Sequence, residues 1–439
     1  MSKEELLELL KKSLQDALDS IQGRDKEELN EEKRTELKDA LKNHFEFLEV
    51  DKTEDFLKKY SPWDQAVGID LIKKFVGIVN SSKADKDFSW LDILNDDKQW
   101  KKPWKKPNEE VKIKNEVKDK NKHVNMRYQI PTHFHGDIDN AVLFHCMENP
   151  RGYLGEYEDS YIDKELGGPD LEEYFGKTYK LLNEDNSSNK SIKEIIKERY
   201  QLGEGKLDKN ITNIIYSDKS NLSRELDNMF NESKDFFTKE YTLKKNNRSK
   251  KDDLSERYYY LAQYYAQLLE IDGKNMRKLD DEPGNEDTEG RKKARKIAKK
   301  ICNLEIYPFS CKDPKLGNNG IGEKILLNSD LSRLSAYIVL RRIYKYLEDY
   351  EKSNEKPVFI FRKYDRAWEK LFKEIFGEAG VKDEFLQDLE SHFFYCQTSQ
   401  QGGGVTSGNV ISVRDFKALE LLKELAFRDI FDLITEKKD

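Results

Sequence analysis

The sequence predicts an α/β protein: a central, mostly parallel, four-stranded sheet flanked by helices, preceded by a helical domain and interrupted by a helical insertion. Three observations predict it. Short apolar runs at 140–147, 303–309, 357–361 and 392–396 suit buried strands. Amphipathic helical patterns separate these runs, which is the alternation that parallel strands need for their crossovers. Upstream of them, residues 1–97 carry helical periodicity alone. The resulting boundaries are a helical domain over 1–97, a basic linker over 98–128 and an α/β domain over 129–439, with the insertion at about 184–290.

In order along the chain, residues 2–22 read as a helix. Ser2 with Glu5 fits a capping box, Leu7, Leu10, Leu14, Leu18 and Ile21 share a face, and Gly23 stops it. Residues 26–49 repeat that logic with Leu37, Leu41, Phe45 and Leu48. Ser61-Pro62 opens a third helix that holds Ile69, Ile72, Phe75 and Val76 inside. The linker interleaves Trp100 and Trp104 with lysines, a pattern that suits phosphate contact with base stacking, or tryptophans docked on a neighbouring domain. After the first strand comes the loop Glu148-Asn149-Pro150-Arg151-Gly152-Tyr153, then a helix near 169–183. In the insertion, Tyr258, Tyr259, Tyr260, Tyr264 and Tyr265 cluster on one helix. They pack inside the insertion or present a stacking surface. Residues 280–290 read as a loop. A helix at 330–349 places Leu334, Ile338 and Tyr344 on one face, and another spans Asp365 to Phe376. A glycine-rich loop, QQGGGVTSGN, leads to a final helix at 412–435.

Composition narrows the function classes. Apolar residues make up 36% and charged residues 37%, so the core is lean and helix surface abundant. No apolar run reaches the roughly 18 residues of a membrane-spanning helix, and MSKEELLELL has no signal-peptide core; the expectation is a cytoplasmic protein without membrane contact. Net charge is −7, but the distribution is uneven. Residues 98–127 hold 11 Lys/Arg against 4 Asp/Glu, and RKKARKIAKK at 291–300 holds seven Lys/Arg and no acid. Such runs can neutralise phosphates; equally, they suit a solvated helix face. The four cysteines, Cys146, Cys302, Cys311 and Cys396, lack C-x-x-C spacing and read as reduced core thiols rather than cluster ligands.

In an open α/β sheet, ligands bind outside the carboxyl ends of the strands. Three such ends carry polar, loop-forming residues: Glu148 to Tyr153, Tyr307 to Lys312, and Gln397 to Gly402. They should meet at one cleft. GDIDNAVLFHCMENPRGY (136–153), EIYPFSCK (305–312), PVFIF with its following Trp-containing helix, and the GVTSGN loop come in an order that resembles the uracil-DNA glycosylase superfamily. Two departures are visible. Arg151 intervenes between Asn149-Pro150 and Gly152. The region matching the usual His-Pro-Ser reads YCQTSQQ, with no histidine. The resemblance therefore implies altered base specificity or a lost activity rather than an ordinary uracil enzyme.

What the resemblance implies for chemistry is excision of a flipped base, with a modified base of phage DNA as the favoured substrate and bacterial antiviral defence as the context. Asn149 would hold a water beneath the sugar C1′, and Glu148 would activate it or stabilise positive charge. Tyr153 would stack on the base, with Asp137, Tyr307, Ser310 and Gln397 as further base-binding positions. Arg151, Lys312, Ser399, Gly402, Gly403 and Asn409 would meet the DNA. No cofactor is expected, and the helical domain offers a surface for a protein partner. Two other classes stay open. One is a catalytically inactive module that binds a nucleotide or modified DNA and recruits a partner. The other is a metal-dependent phosphohydrolase built on His133, His135 and Asp137, whose H-x-H-x-D spacing puts both histidines on one side of a strand.

Overall fold

The computed structural model describes residues 29–65, 68–70, 72–73, 131–150, 215–243, 253–282, 285, 288–308, 314, 316–317, 321–328, 331–349, 355–398 and 403–419. The helices expected at 2–22 and 169–183, the basic linker, and Tyr153, Arg151, Ser310, Lys312, Ser399 and Gly402 lie outside them.

The architecture is α/β, with seven strands where the sequence led us to expect four. They are β1 (Phe134–His135), β2 (Leu143–Met147), β3 (Tyr216–Ser217), β4 (Ile301–Glu305), β5 (Val358–Phe361), β6 (Phe394–Gln397) and β7 (Val410–Ser412), in the order β3-β1-β4-β2-β5-β6-β7. The four expected strands are the centre: β4-β2, β2-β5 and β5-β6 all pair in parallel. The additional strands lie at the margins. β1 is antiparallel to β4 and parallel to β3, and β7 is antiparallel to β6. Strands of two or three residues are too short to display a period of two, which is why the sequence pattern hid them. Two central strands also shift. β4 begins at Ile301 and ends before Tyr307-Pro308, since proline cannot donate to the ladder. His392 and Phe393 close the Asp383–Phe393 helix instead of opening β6.

Alternation along the strands divides the core into two. Phe144, Cys146, Cys302, Leu304, Phe359, Phe361, Phe394 and Cys396 face one side, and the three described cysteines are free, buried thiols there. This side is covered by the helices Arg333–Glu348, Glu369–Ala379 and Asp383–Phe393, and by the N-terminal helices Glu31–His44 and Thr53–Tyr60. Leu37, Leu41, Phe45 and Leu48, expected to form a face, are all buried in it. The other side carries Met147, Ile301 and Ile360 and is covered by the described residues between 222 and 298. The described part of the insertion is thus one of the two layers over the sheet, and it supplies β3. Its tyrosines pack against the sheet as well as within the insertion: Tyr264 and Tyr265 are buried with Met147 and Ile360.

The amino ends of the parallel strands are closed by charge. Gly136 has φ +131°, and a Cβ there would lie 2.5 Å from the Ile301 carbonyl, so the Gly-Asp turn needs glycine. Asp137 then accepts from the backbone of Asp139 (2.9 Å) and Asn140 (3.0 Å). Asp139 pairs with Arg341 and, at 3.0 Å, with Lys345. Arg341 also donates to the Asp51 carbonyl at 2.6 Å and lies 4.8 Å from the Phe56 ring, tying the N-terminal helices to the sheet. Arg342 donates to the carbonyls of Ala141 (3.0 Å) and Glu355 (2.8 Å).

Candidate functional site

The order β4-β2-β5-β6 reverses direction between β2 and β5: the chain leaves β2 for one side and returns to β5 on the other. The crevice outside the carboxyl ends of such a strand pair is where open α/β sheets bind ligands. Here it is formed by Glu148 and Asn149 after β2, and by Arg362 and Lys363 after β5.

These residues are held together electrostatically. Glu148 pairs with Lys363 at 2.6 Å and with Arg362 at 3.5 Å, with all three side chains between 12% and 19% exposed. The Arg362 backbone N–H donates to the Cys146 carbonyl at 2.9 Å, and its guanidinium donates to the Tyr264 hydroxyl at 2.6 Å. Burial disfavours the Arg362 charge, but Tyr264, Glu148, Tyr259 and Glu305 more than offset this and raise its pKa. Lys363 adopts φ 48° and ψ 48°, a left-handed conformation uncommon outside glycine that turns its amine toward Glu148. Strained residues of this kind concentrate at functional sites. π-Helical turns do so too, and two flank Arg362: Tyr364–Trp368 directly after Lys363, and Leu261–Tyr265, which supplies Tyr264.

A second, buried polar layer lies on the same face of the sheet. His145, Asn303, Glu305 and Gln397 all alternate onto the side covered by the described residues between 222 and 298. Asn303 donates to the Tyr265 hydroxyl at 2.6 Å, and Gln397, which gives an amide N–H to the Gly403 carbonyl, presents its Oε1 as an acceptor to His145 Nε2, so His145 Nδ1 accepts from the Tyr265 hydroxyl 2.9 Å away. His145 Nε2 then carries the hydrogen and faces Gln397 Oε1 at 3.5 Å. Burial, reinforced by the Arg362 charge, lowers the His145 pKa to about 3, so the ring is neutral at ordinary pH. Glu305 ends β4, is 2% exposed, and its Oε2 has no hydrogen-bond partner. Burial pushes its pKa well up, Arg362 opposes that, and the Glu148 charge adds to it.

The expected site residues fall into groups. Glu148, Asn149, Tyr307 and Gln397 all lie at the carboxyl edge. The Tyr307 N–H donates to the Glu148 carbonyl at 3.0 Å, but its ring is buried in the apolar core on the opposite side of the sheet. Gln397 donates its amide to the Gly403 carbonyl at 3.0 Å. Asn409 donates to the Gly404 carbonyl at 2.8 Å and accepts from the Thr398 hydroxyl at 3.0 Å, so its amide shapes the glycine loop. A Cβ on Gly403 would lie 2.3 Å from that amide. Asp137 does not join them: it lies at the amino edge and caps the 137–140 turn. His133 and His135 do not form a metal centre with it. His133 accepts from Trp63 Nε1 at 2.9 Å, His135 meets Asn221 at 2.7 Å, and among the described residues no cluster of three metal-ligating side chains occurs.

The 291–300 run lies on the Glu289–Lys299 helix and its C-cap, with Arg291 buried and several of its lysines in exposed pairs. Arg291 pairs with buried Asp280 at 2.7 Å, and both Arg291 and Arg295 sit 5.0 Å from the Phe230 ring. Lys292, Lys293 and Lys300 pair with Glu289, Glu270 and Glu355. Residues that sequence reasoning missed are Arg362, Lys363, Glu305 and His145. The first two follow a strand whose end was correctly placed, and polar residues at that position were the available signal. No family model, no curated protein and no solved structure matches this chain.

Proposed function

We propose that this chain is a DNA glycosylase that hydrolyses the N-glycosidic bond of a flipped base, with a modified base of phage DNA as substrate. The observation that carries the reading is the placement of Glu148 and Asn149 together at the β2–β5 crevice, the carboxylate clamped by Lys363 and Arg362. A base leaving C1′ gives the sugar oxocarbenium character. A carboxylate held at a fixed point stabilises that charge without reorganising, and an amide beside it orients the attacking water. Arg362 and Lys363 would hold Glu148 in position and add positive potential at the crevice mouth for an incoming phosphate. The roles given to Glu148 and Asn149 are those that the resemblance of residues 136–153 to uracil-DNA glycosylases implies. The test is incubation of the chain with a panel of phage genomes, unmodified and modified. Free base and abasic sites appear by mass spectrometry for at least one modified genome.

A second reading has its own observation. Two cations engage Glu148, and Gln397 and Asn409 bond within the chain. That arrangement suits a module that binds modified DNA without cutting it. Tight, modification-dependent binding with no base released from any genome would favour it.

A further inference from the structure

A buried carboxyl group without a partner calls for a physical explanation, because its desolvation is not compensated. Glu305 Oε2 lacks a hydrogen bond, with the Arg362 charge offsetting only part of the cost of burial, and the backbone that carries it is fixed on both sides. Its N–H donates to the His133 carbonyl at 2.8 Å, and its carbonyl accepts from the Ser335 hydroxyl at 2.8 Å. Strand register puts it beside Met147, the residue before Glu148. Alternation puts it on the face that carries His145 and Gln397. The charged and titratable groups that act on it come from each neighbouring element: Arg362 after β5, Glu148 after β2, Cys146 on β2 and Tyr260 from the layer above the sheet.

We propose that Glu305 is the general acid of the excision reaction, delivering a proton to the departing base while the C1′–N bond breaks. The inference rests on the glycosylase reading above. The electron pair of the C1′–N bond goes to the base, which takes the Glu305 proton. A water oxygen forms the new bond to C1′, and the proton that this water sheds passes to Glu148 and through solvent back to Glu305. One water is consumed, and a neutral base and an abasic sugar are produced. The two carboxyls divide the work because their surroundings differ. Glu148 is paired with two cations, whereas Glu305 is buried without a hydrogen bond to its Oε2, and burial with the neighbouring Glu148 charge, opposed by Arg362, favours the protonated form and so keeps a proton to give.

The test is single-turnover base release by the full chain from modified phage DNA, followed from about pH 5 to about pH 9. The parent is compared with Glu305→Gln, which keeps the shape and a hydrogen-bond donor but has no transferable proton. The expected result is a parental rate that falls on the alkaline side, and a variant slower by about a hundredfold or more with that alkaline fall gone. A variant within about twofold of the parent, or one with the same alkaline limb, overturns the acid role and leaves the excision reading standing. A parent that releases no base from any genome overturns the excision reading, and the acid role with it. Infrared spectroscopy of the parent at neutral pH decides the matter if Glu305→Gln does not fold. Among the described residues, Glu225, pushed up to about 8 by burial, is the other carboxyl expected to hold a proton there, and Glu225→Gln removes its carbonyl band. A remaining protonated-carboxyl band supports the proposal, and its absence overturns it.

Discussion

The two ends of the parallel strands both gather acids and bases, but they use them differently. At the amino end, Arg341 and Arg342 donate to backbone carbonyls, Asp137 accepts from backbone N–H groups, and Asp139 pairs with two cations. These charges fasten the N-terminal helices and the 137–140 turn onto the sheet. At the carboxyl end, the Glu148 carboxylate is held by the side chains of Lys363 and Arg362, Glu305 Oε2 has no hydrogen-bond partner, and Lys363 adopts a strained backbone. The amino end also leaves a buried atom unbonded, Arg341 Nε, but its charges bond backbone groups and so act as a fastening. A cluster that leaves a buried carboxyl oxygen without a hydrogen bond is the one where chemistry is expected.

At neutral pH, the largest effect should come from breaking the amino end. Arg341→Ala removes a guanidinium that is almost wholly buried, together with its bonds to Asp139 and the Asp51 carbonyl, and leaves Asp139 to Lys345 and the Thr53 hydroxyl. Breaking one partner of a buried pair costs about 3–5 kcal/mol when the other charge is left alone, so with Lys345 in place the loss should lie near the lower end, about 3 kcal/mol. Urea unfolding should show that loss, while base release per folded molecule stays at the parental rate. A variant of parental stability would show that the N-terminal helices are not fastened there.

Acid should probe two buried rings, His145 in the polar layer and His133 beside Trp63. Burial holds the pKa of both His133 and His145 at about 3, with the Arg362 charge contributing at His145. Their unfolded values are near the ordinary 6.5, so below that pH the unfolded chain takes up protons that the folded chain refuses. The stability is complete above about pH 6.5 and is lost as pH falls toward about 3, by about 1.4 kcal/mol per pH unit for each ring. Unfolding midpoints measured from pH 7 downward should show this slope, and His145→Gln should reduce it by one ring's share. The smallest effect belongs to Asn409→Ala. Loss of its bonds to Gly404 and Thr398 should cost about 1–3 kcal/mol and expose the 403–409 loop to protease, with the sheet intact.

How much of this was legible follows from what each signal measures. The four central strands were visible because Phe144, Leu304, Phe359, Phe361 and Phe394 sit in short, mostly apolar runs. β1, β3 and β7 were not, because two or three residues carry no periodicity. The expectation that Glu148, Asn149, Tyr307 and Gln397 share an edge needed only strand direction. Asp137 was misplaced because the turn that precedes β2 lies at the opposite end of that strand, a distinction that spacing in sequence does not carry. Glu305 was hidden inside a strand run, where a single acid among Leu304, Ile306 and Tyr307 reads as an outward-facing residue. Only the second layer, built from the described residues between 222 and 298, makes that face an interior. The same layer turned the tyrosine cluster from a feature of the insertion into part of the crevice wall.

The account stands on excision being performed at the carboxyl end, and single-turnover base release by Asn149→Ala tests that most directly. Asn149 lies beside the clamped Glu148, half-buried, with its amide 3.4 Å from the Pro150 carbonyl. The expected result is a thermal melt and DNA affinity near the parental values, with a transition state destabilised by about 2–4 kcal/mol, or roughly thirtyfold to a thousandfold in rate. Asp137→Asn, at the amino end, should release base at the parental rate in the same assay. If Asn149→Ala keeps the parental rate while Asp137→Asn loses it, the working end of the sheet has been assigned to the wrong edge.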